Sequence, residues 1–469
     1  MNNTNRVLLV LVIAVVMAAA DATVVLLAFP DMTQLLHTDV SLSIWTILVY
    51  ILITAVMTTQ LGKLGDIYGR AKMFNLGLVI FTISSALCGL SPNILFLIGF
   101  RIVQGIGAAF LLANSGAIVA DTFPKEKLGR AFGYIAAGWG GGSLMGIALG
   151  GLLTTLLGWR YIFYINVPIG IVAIILGLRY VKDKIVMKRH LDIFGIIFLG
   201  IALTLVSYDA IKFAAFGFSV LDVVLIAIGV LMVVALVWKE RNAKDPIIDI
   251  KAFRSNRVLS FSLLAAMVVA MGTFSVQFMM TLYLQGIVGL TPLYAALLLS
   301  PGAIIGFLLS PRMGRLSDRV GARNLATAGI VAFGLAILVY MSVGLGYHPI
   351  LFILASALSG FGVAMFYPAN NAAVMANAPT GAYGSMNGLL RTLQSIGGLL
   401  SYILVVYIAA SAVPRSIAFQ VFVGTTTLLG GLTKSFVVGI QTALAGTLIL
   451  MIFAAFLSHA RGREKGTKI

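Results

Sequence analysis

Gly62, Lys63, Leu64, Gly65, Asp66, Ile67, Tyr68, Gly69, Arg70, Ala71 is the stretch that decides the fold. It returns as Gly314, Arg315, Leu316, Ser317, Asp318, Arg319, Val320, Gly321, Ala322, Arg323. Both copies lie between long apolar runs, which marks a membrane-embedded unit built twice in one chain. A second correspondence, at nearly the same offset, pairs Gly107, Ala109, Ala117, Val119, Pro124, Gly129 and Gly133 with Gly362, Ala364, Ala372, Val374, Pro379, Gly384 and Gly388. The duplication therefore extends well beyond one connection.

Composition agrees with a lipid environment: 60% of residues are apolar and only 10% are charged. Fourteen candidate spans fall at 7–29, 42–62, 73–91, 94–120, 129–154, 161–180, 191–211, 219–238, 257–285, 292–313, 324–345, 350–376, 384–411 and 435–458. Most are close to the ~20 residues that a bilayer-crossing helix needs. Only helices satisfy their own backbone in lipid over such runs, so the expected class is all-α integral membrane. Arg6 followed by an apolar run ending in Ala18, Ala19 and Ala20 has the outline of a secretory signal. The run is too long for one and further spans follow, so it reads as an uncleaved first helix.

Charge placement separates this reading from a stack of soluble core helices. Of the 32 Lys and Arg residues, only Arg160, Lys212, Arg415 and Lys434 fall outside when the N-terminus is set inside, and Arg101 and Arg391 lie within spans. The rest cluster on one side, as in Lys125, Lys127, Arg130 and in Arg179, Lys182, Lys184, Lys188, Arg189. That asymmetry predicts a multi-pass protein of the cytoplasmic membrane with both termini in the cytoplasm. The formal net charge of +17 is then a topological signal rather than a nucleic-acid footprint. Cys88 is the single cysteine, so an intrachain disulfide or thiol pair is excluded.

The repeat also sets the domain organisation. Residues 1–180 and 257–469 are each expected to form a six-helix bundle, and 181–256 an insert of two spans with cytoplasmic linkers. An even insert keeps the two bundles parallel. The polar linker from Lys239 to Arg257 carries Pro246 and reads as a hinge region between them.

Further phrases now become informative. The first span ends Asp21, Ala22, Thr23, Val24, Val25, with Ala28 and Pro30 following; the fourth carries Arg101, Gln104, Gly105 and Gly107; and Trp159 to Gly170 reads WRYIFYINVPIG. Together with the repeated stretch they resemble the major facilitator superfamily over nearly the whole chain. The two central spans make the chain similar to that family's fourteen-span drug:proton antiporter branch. The resemblance implies two parallel six-helix bundles, a proton-coupled multidrug efflux function, a small-molecule substrate, protons and membrane lipids as partners, and a protein that works as a monomer. No cofactor or metal is implied. Two departures are visible: Ile147 stands where the branch's fifth-span phrase has proline, and Leu26 replaces the polar residue usual after the first span's acid.

Asp21 lies about eight residues, roughly 12 Å of helix rise, from the outer end of the first span, and Arg101 about seven residues, roughly 10 Å, from the outer start of the fourth. They share a depth. A lone charge in hydrocarbon costs several kcal/mol, so each needs a partner or a wet cavity, and an intramembrane ionisable group is a functional candidate. Two readings follow: Asp21 as a proton carrier, with desolvation favouring the neutral acid and Arg101 the carboxylate, or a static ion pair that orients two helices.

Asp66 and Asp318 have a local explanation as helix caps beside turn glycines. The resemblance implies a second role, a conformational latch built from Gly62, Asp66, Gly69, Arg70, Asp121 and Asp318. In it the first-half acid docks on the span beginning near Gly384 and Arg70 pairs with Asp121, which favours an outward-facing state. Gly138, Gly142, Gly146 and Gly150 recur every fourth residue, with Gly151 adjacent, as a small-residue ridge for close helix packing. Arg391 meets an anionic substrate, a lipid headgroup or backbone carbonyls.

The family's cavity lies where the halves meet, and the polar and aromatic residues expected there are Asn114, Phe274, Gln277, Phe278, Phe366, Tyr367, Asn370 and Asn371. An apolar, aromatic wall suits lipophilic compounds, cationic ones among them. Other classes fit poorly. Gly430, Gly431, Leu432, Thr433, Lys434, Ser435 lacks the glycine that must precede a phosphate-binding lysine. His37, His190, His348 and His459 are scattered, which argues against a metal-dependent enzyme. Within carriers, export of an endogenous metabolite or lipid stays open, because one fold hosts many substrates.

Overall fold

The computed structural model describes residues 3–38, 40–183, 193–216, 220–240, 256–342, 347–379, 382–412 and 432–462. Most of the linker between Lys239 and Arg257 and the last seven residues lie outside them. The first bundle contains α1 (Asn3–Leu35), α2 (Trp45–Tyr68), α3 (Arg70–Gly89), α4 (Ile94–Thr122), α5 (Leu128–Leu157) and α6 (Asn166–Tyr180), the last preceded by a short turn Tyr161–Tyr164. Next come α7 (Ile193–Phe216) and α8 (Val220–Glu240). The second bundle contains α9 (Arg257–Leu282), α10 (Pro292–Val320), α11 (Ala322–Tyr340), α12 (Pro349–Ala376), α13 (Tyr383–Ala412) and α14 (Leu432–Ala460).

Among the described residues, eleven helices are long and apolar enough to cross a membrane. They correspond to α1–α6, α9–α12 and α14; α7, α8 and α13 are 24, 21 and 30 residues long. The protein is thus an all-helical, multi-pass membrane protein. α7 and α8 pair with each other, and α7 rests against α2 and α13.

Local chemistry sets the helix ends. Asn93 accepts from the Leu95 and Phe96 N–H groups, both at 3.1 Å, and caps α4. Asn256 caps α9 through Leu259 N–H at 3.1 Å, and Thr291 followed by Pro292 opens α10. The repeated stretch, expected as a loop after residue 62, is mostly helix: α2 runs on to Tyr68 and α3 starts at Arg70, with Gly69 as the only link. Its φ of 106° is a conformation that suits glycine, and Gly321, at 89°, makes the same one-residue link between α10 and α11. The end of the molecule carrying these two links is termed the repeat face below.

Two seams join the halves. α5 packs on α10, and α2 on α13. A Cβ added at Gly62 would stand 2.1 Å from the Gly384 carbonyl oxygen, and one at Gly314 would stand 2.1 Å from that of Gly129, so backbone nearly meets backbone at both places. Deeper in, Gly133 meets Ser310 and Pro311, and Gly388 meets Thr58 and Thr59. The buried apolar cluster at the repeat face mixes both halves, Leu111, Phe132 and Ile135 with Ala372, Met375 and Leu389. Toward the opposite face, the cluster of Val24, Val25, Phe29, Leu97, Trp159 and Phe163 belongs to the first half alone.

Candidate functional site

Asp21 sits at the centre of a network drawn from five helices. Its carboxylate accepts from Arg101 Nη1 at 2.6 Å, from Gln104 Nε2 at 2.9 Å and from Asn166 Nδ2 at 2.9 Å. Asp21 is 0% and Arg101 1% exposed. Ser85 on α3 takes a second bond from each amide, Gln104 at 3.2 Å and Asn166 at 3.1 Å, and donates to the Phe163 carbonyl at 3.0 Å. Arg101 has partners besides the acid: Nε donates to the Thr46 carbonyl at 2.9 Å, Nη1 to Gln104 Oε1 at 2.7 Å, and the guanidinium lies 4.3 Å from the Tyr50 ring centroid. Cys88 donates to the same Gln104 oxygen at 3.6 Å.

Such a pair persists in a dry interior only because each charge is multiply hydrogen-bonded. Neutralising Asp21 would remove the charge that three donors face, while Arg101 would keep a carbonyl, an amide oxygen and an aromatic face. Arg101 thus has hydrogen-bond and aromatic partners besides its counter-charge.

The residues flanking Asp21 connect this network to the seam. α5 presents one glycine face to α1 and another to α10. On the first, a Cβ at Gly142 would lie 2.5 Å from the Val16 carbonyl oxygen and one at Gly146 2.6 Å from that of Ala20, the residue before Asp21. Gly138 contacts Val12 and Val15, while Gly150 and Gly151 lie further along the same helix. On the second face, Gly129, Gly133 and Gly140 meet α10. α1 and α10 thus grip one helix from two sides, and small residues are what let them approach.

At the repeat face the acid of each half reaches the other half's helix start. Asp66 accepts from Gly384 N–H and Ser385 N–H at 3.0 Å each and from the Ser385 hydroxyl at 2.7 Å. Asp318 accepts from Gly129 N–H at 2.8 Å and Arg130 N–H at 2.9 Å. Carboxylates at helix N-termini meet both the unpaired N–H groups and the positive end of the helix dipole. Arg70 braces Asp66 through Nε at 2.9 Å and Nη2 at 2.6 Å, pairs with Asp121, and lies 5.4 Å from the Tyr383 ring centroid. Asp183 accepts from Ala71 N–H at 2.7 Å, at the start of α3.

The residues expected to line a cavity are spread over several environments. Asn114 is buried against α2, donating to the Leu61 carbonyl at 3.4 Å and to the Phe110 carbonyl of its own helix at 2.9 Å. Tyr367 shares a hydroxyl contact of 3.4 Å with Thr273, Phe278 is half-buried and Gln277 is exposed. Phe274 packs on Gly398. Asn371 is buried at the same end of α12 as Asn370. Phe366 and Asn370 are not brought to the seam: Phe366 is in the core of the second half. Asn370 donates to the Ser262 carbonyl at 3.0 Å and accepts from Arg461 at 3.2 Å. Their rotation about α12, which depth along the helix does not fix, turns them into the second half. Sequence reasoning assigned no role to Gln104, Asn166, Ser85 or Tyr50. A polar residue at matching depth in another span was the signal available.

Known proteins resemble this chain in sequence and in fold. The sequence profile described as Major Facilitator Superfamily matches residues 11–402. The chain is 30% identical over 393 residues to the riboflavin transporter RibZ of Clostridioides difficile, covering 83% of this chain and 85% of that one. It is 30% identical over 410 residues to the multidrug resistance protein Stp of Mycobacterium tuberculosis, covering 86% and 75%. The fold matches the proton:xylose symporter XylE with a TM-score of 0.64 at 14% identity, over 99% of this chain and 97% of that one.

Proposed function

Because the chain belongs to the Major Facilitator Superfamily, and is therefore a membrane transporter rather than an enzyme, we propose that it exports lipophilic compounds across the cytoplasmic membrane in exchange for protons. Alternating access between the two bundles drives the cycle. Fourteen helices cross the bilayer in this reading, α7, α8 and α13 included, with both termini in the cytoplasm and the repeat face inward. The multidrug resistance relative supports drug-like compounds as substrates.

One observation carries the proton-coupling part: a carboxylate fully removed from solvent, at mid-helix depth, whose arginine partner has substitutes for it. Asp21 takes up a proton when the outer side opens. The freed donors of Arg101, Gln104 and Asn166 re-pair within the first half, and α1 shifts against α4 and α6. Gly142 and Gly146 press on the α1 backbone beside Asp21, so that shift moves α5 and with it the seam to α10. The Asp66 and Asp318 docks then part, and the repeat face opens to substrate. Proton release inward restores the pair. One proton moving through about 100 mV yields about 2.3 kcal/mol, enough for a roughly fifty-fold gradient of a neutral solute.

The test is transport by purified protein in liposomes. A protonophore-sensitive flux of a lipophilic dye is expected in the wild type, and Asp21→Asn should retain dye binding but lose the response to an imposed pH gradient. If Asp21→Asn still answers the gradient, Asp21 is a structural ion pair. A second reading, transport of a water-soluble aromatic metabolite, draws on the riboflavin transporter among the relatives; competition of riboflavin against the dye separates the two.

A further inference from the structure

Arg391 lies on α13 about eight residues, roughly 12 Å of rise, from the helix start at the repeat face. That puts it deep in the bilayer. It is 9% exposed, and Gln394 one turn on is 8% exposed. Nη1 donates to Gln394 Oε1 at 3.2 Å, which leaves Arg391 Nε and Gln394 Nε2 with no hydrogen-bond partner. Among the described residues no carboxylate comes within ion-pair distance of this guanidinium. On α12 the Tyr367 hydroxyl meets Thr273 of α9 at 3.4 Å.

The contrast with Arg101 is direct. Arg101, at comparable burial, is matched by Asp21, a backbone carbonyl and an aromatic face. A buried cation and an amide N–H left open side by side form half of a recognition pair, and the missing half is an acceptor with negative charge.

We propose that Arg391 and Gln394 bind the acidic group of the transported compound, so that substrates include lipophilic carboxylates and related oxyanions. This inference rests on the export reading above and narrows it. The planar guanidinium takes one oxygen through Nε and Gln394 Nε2 takes the other. Loading an anion also neutralises a buried charge of the second half, as Asp21 does that of Arg101 in the first.

The test uses three pyrene probes of one shape, pyrenebutyrate, pyrenebutanol and pyrenebutylammonium, titrated into full-length protein in lipid nanodiscs. Pyrenebutyrate should bind more tightly than pyrenebutanol by about tenfold or more, the range for one or two charge-assisted bonds. The butyrate-to-butanol ratio should collapse toward one in Arg391→Gln, persist in Arg391→Lys, and fall partway in Gln394→Leu, which also serves if Arg391→Gln does not fold. Equal binding of the three probes in wild type, or a ratio that survives Arg391→Gln, overturns this inference and leaves the export reading standing. Binding of none of the probes brings down both.

Discussion

Asp66 and Gly384 stand on opposite sides of the seam between the two halves, and the Gly384 N–H donates to the Asp66 carboxylate at 3.0 Å. Four further bonds to that carboxylate, from Ser385 and Arg70, fix it in place.

Asp66→Asn keeps the shape but removes the charge that faces the helix end and Arg70. Hydrogen bonds to charged groups contribute about 1.5–3 kcal/mol each, so closure at the repeat face should weaken about tenfold or more. Spin labels at Tyr68 and Val320, exposed on opposite halves, in a Cys88→Ser background, should report a longer distance population. An unchanged distribution removes the docking role.

Asp318→Asn should act in the same direction but more weakly. Asp318 accepts two backbone bonds, whereas Asp66 also holds a hydroxyl and an arginine. The same label pair orders the two variants, and an Asp318 effect larger than that of Asp66 contradicts the assignment.

Arg101→Met leaves the Asp21 charge buried opposite Gln104 and Asn166 alone, and loss of one partner of a buried pair costs about 3–5 kcal/mol. The thermal midpoint in detergent should fall by several degrees. Asp21→Asn combined with Arg101→Met should recover part of that loss without recovering pH-driven flux. A double variant as unstable as the sum of the singles would show that the two residues do not interact.

Gly142→Ala places a methyl 2.5 Å from the Val16 carbonyl oxygen, a backbone atom that cannot step aside, while Gly306 has open space around its Cβ direction. Overpacking of this kind costs about 1–3 kcal/mol. Melting curves should show Gly142→Ala clearly destabilised and Gly306→Ala close to wild type.

What could be read from the chain follows from its solvent. Lipid forces long self-satisfied helices, so the apolar runs were legible as spans and the recurrence of Gly62–Ala71 as a doubled unit. Depth was legible too, since rise per residue is fixed, and it brought Asp21 and Arg101 to one level. Rotation about the helix axis was not, because it depends on which face neighbours cover. Asn166 and Ser85 therefore carry no sequence signal as partners of Asp21, and depth alone does not separate Phe366 and Asn370 from residues of the seam. In sequence, the charged residues between the spans ending at 62 and starting at 73 look like a loop. Asp66, Arg70 and Asp121 in fact spend those charges on one another and on a neighbouring helix end, so the helix continues to Tyr68.

The two docking bonds are related as the halves are: Asp66 reaches Gly384 and Asp318 reaches Gly129, and in the repeat the two acids correspond to each other, as do the two helix starts they meet. This is the reciprocity of a twofold homodimer interface. A single unduplicated half holds one such acid and one such helix end, and could satisfy both at once by meeting a copy of itself, so joining two halves in tandem asks for no new contact at this seam.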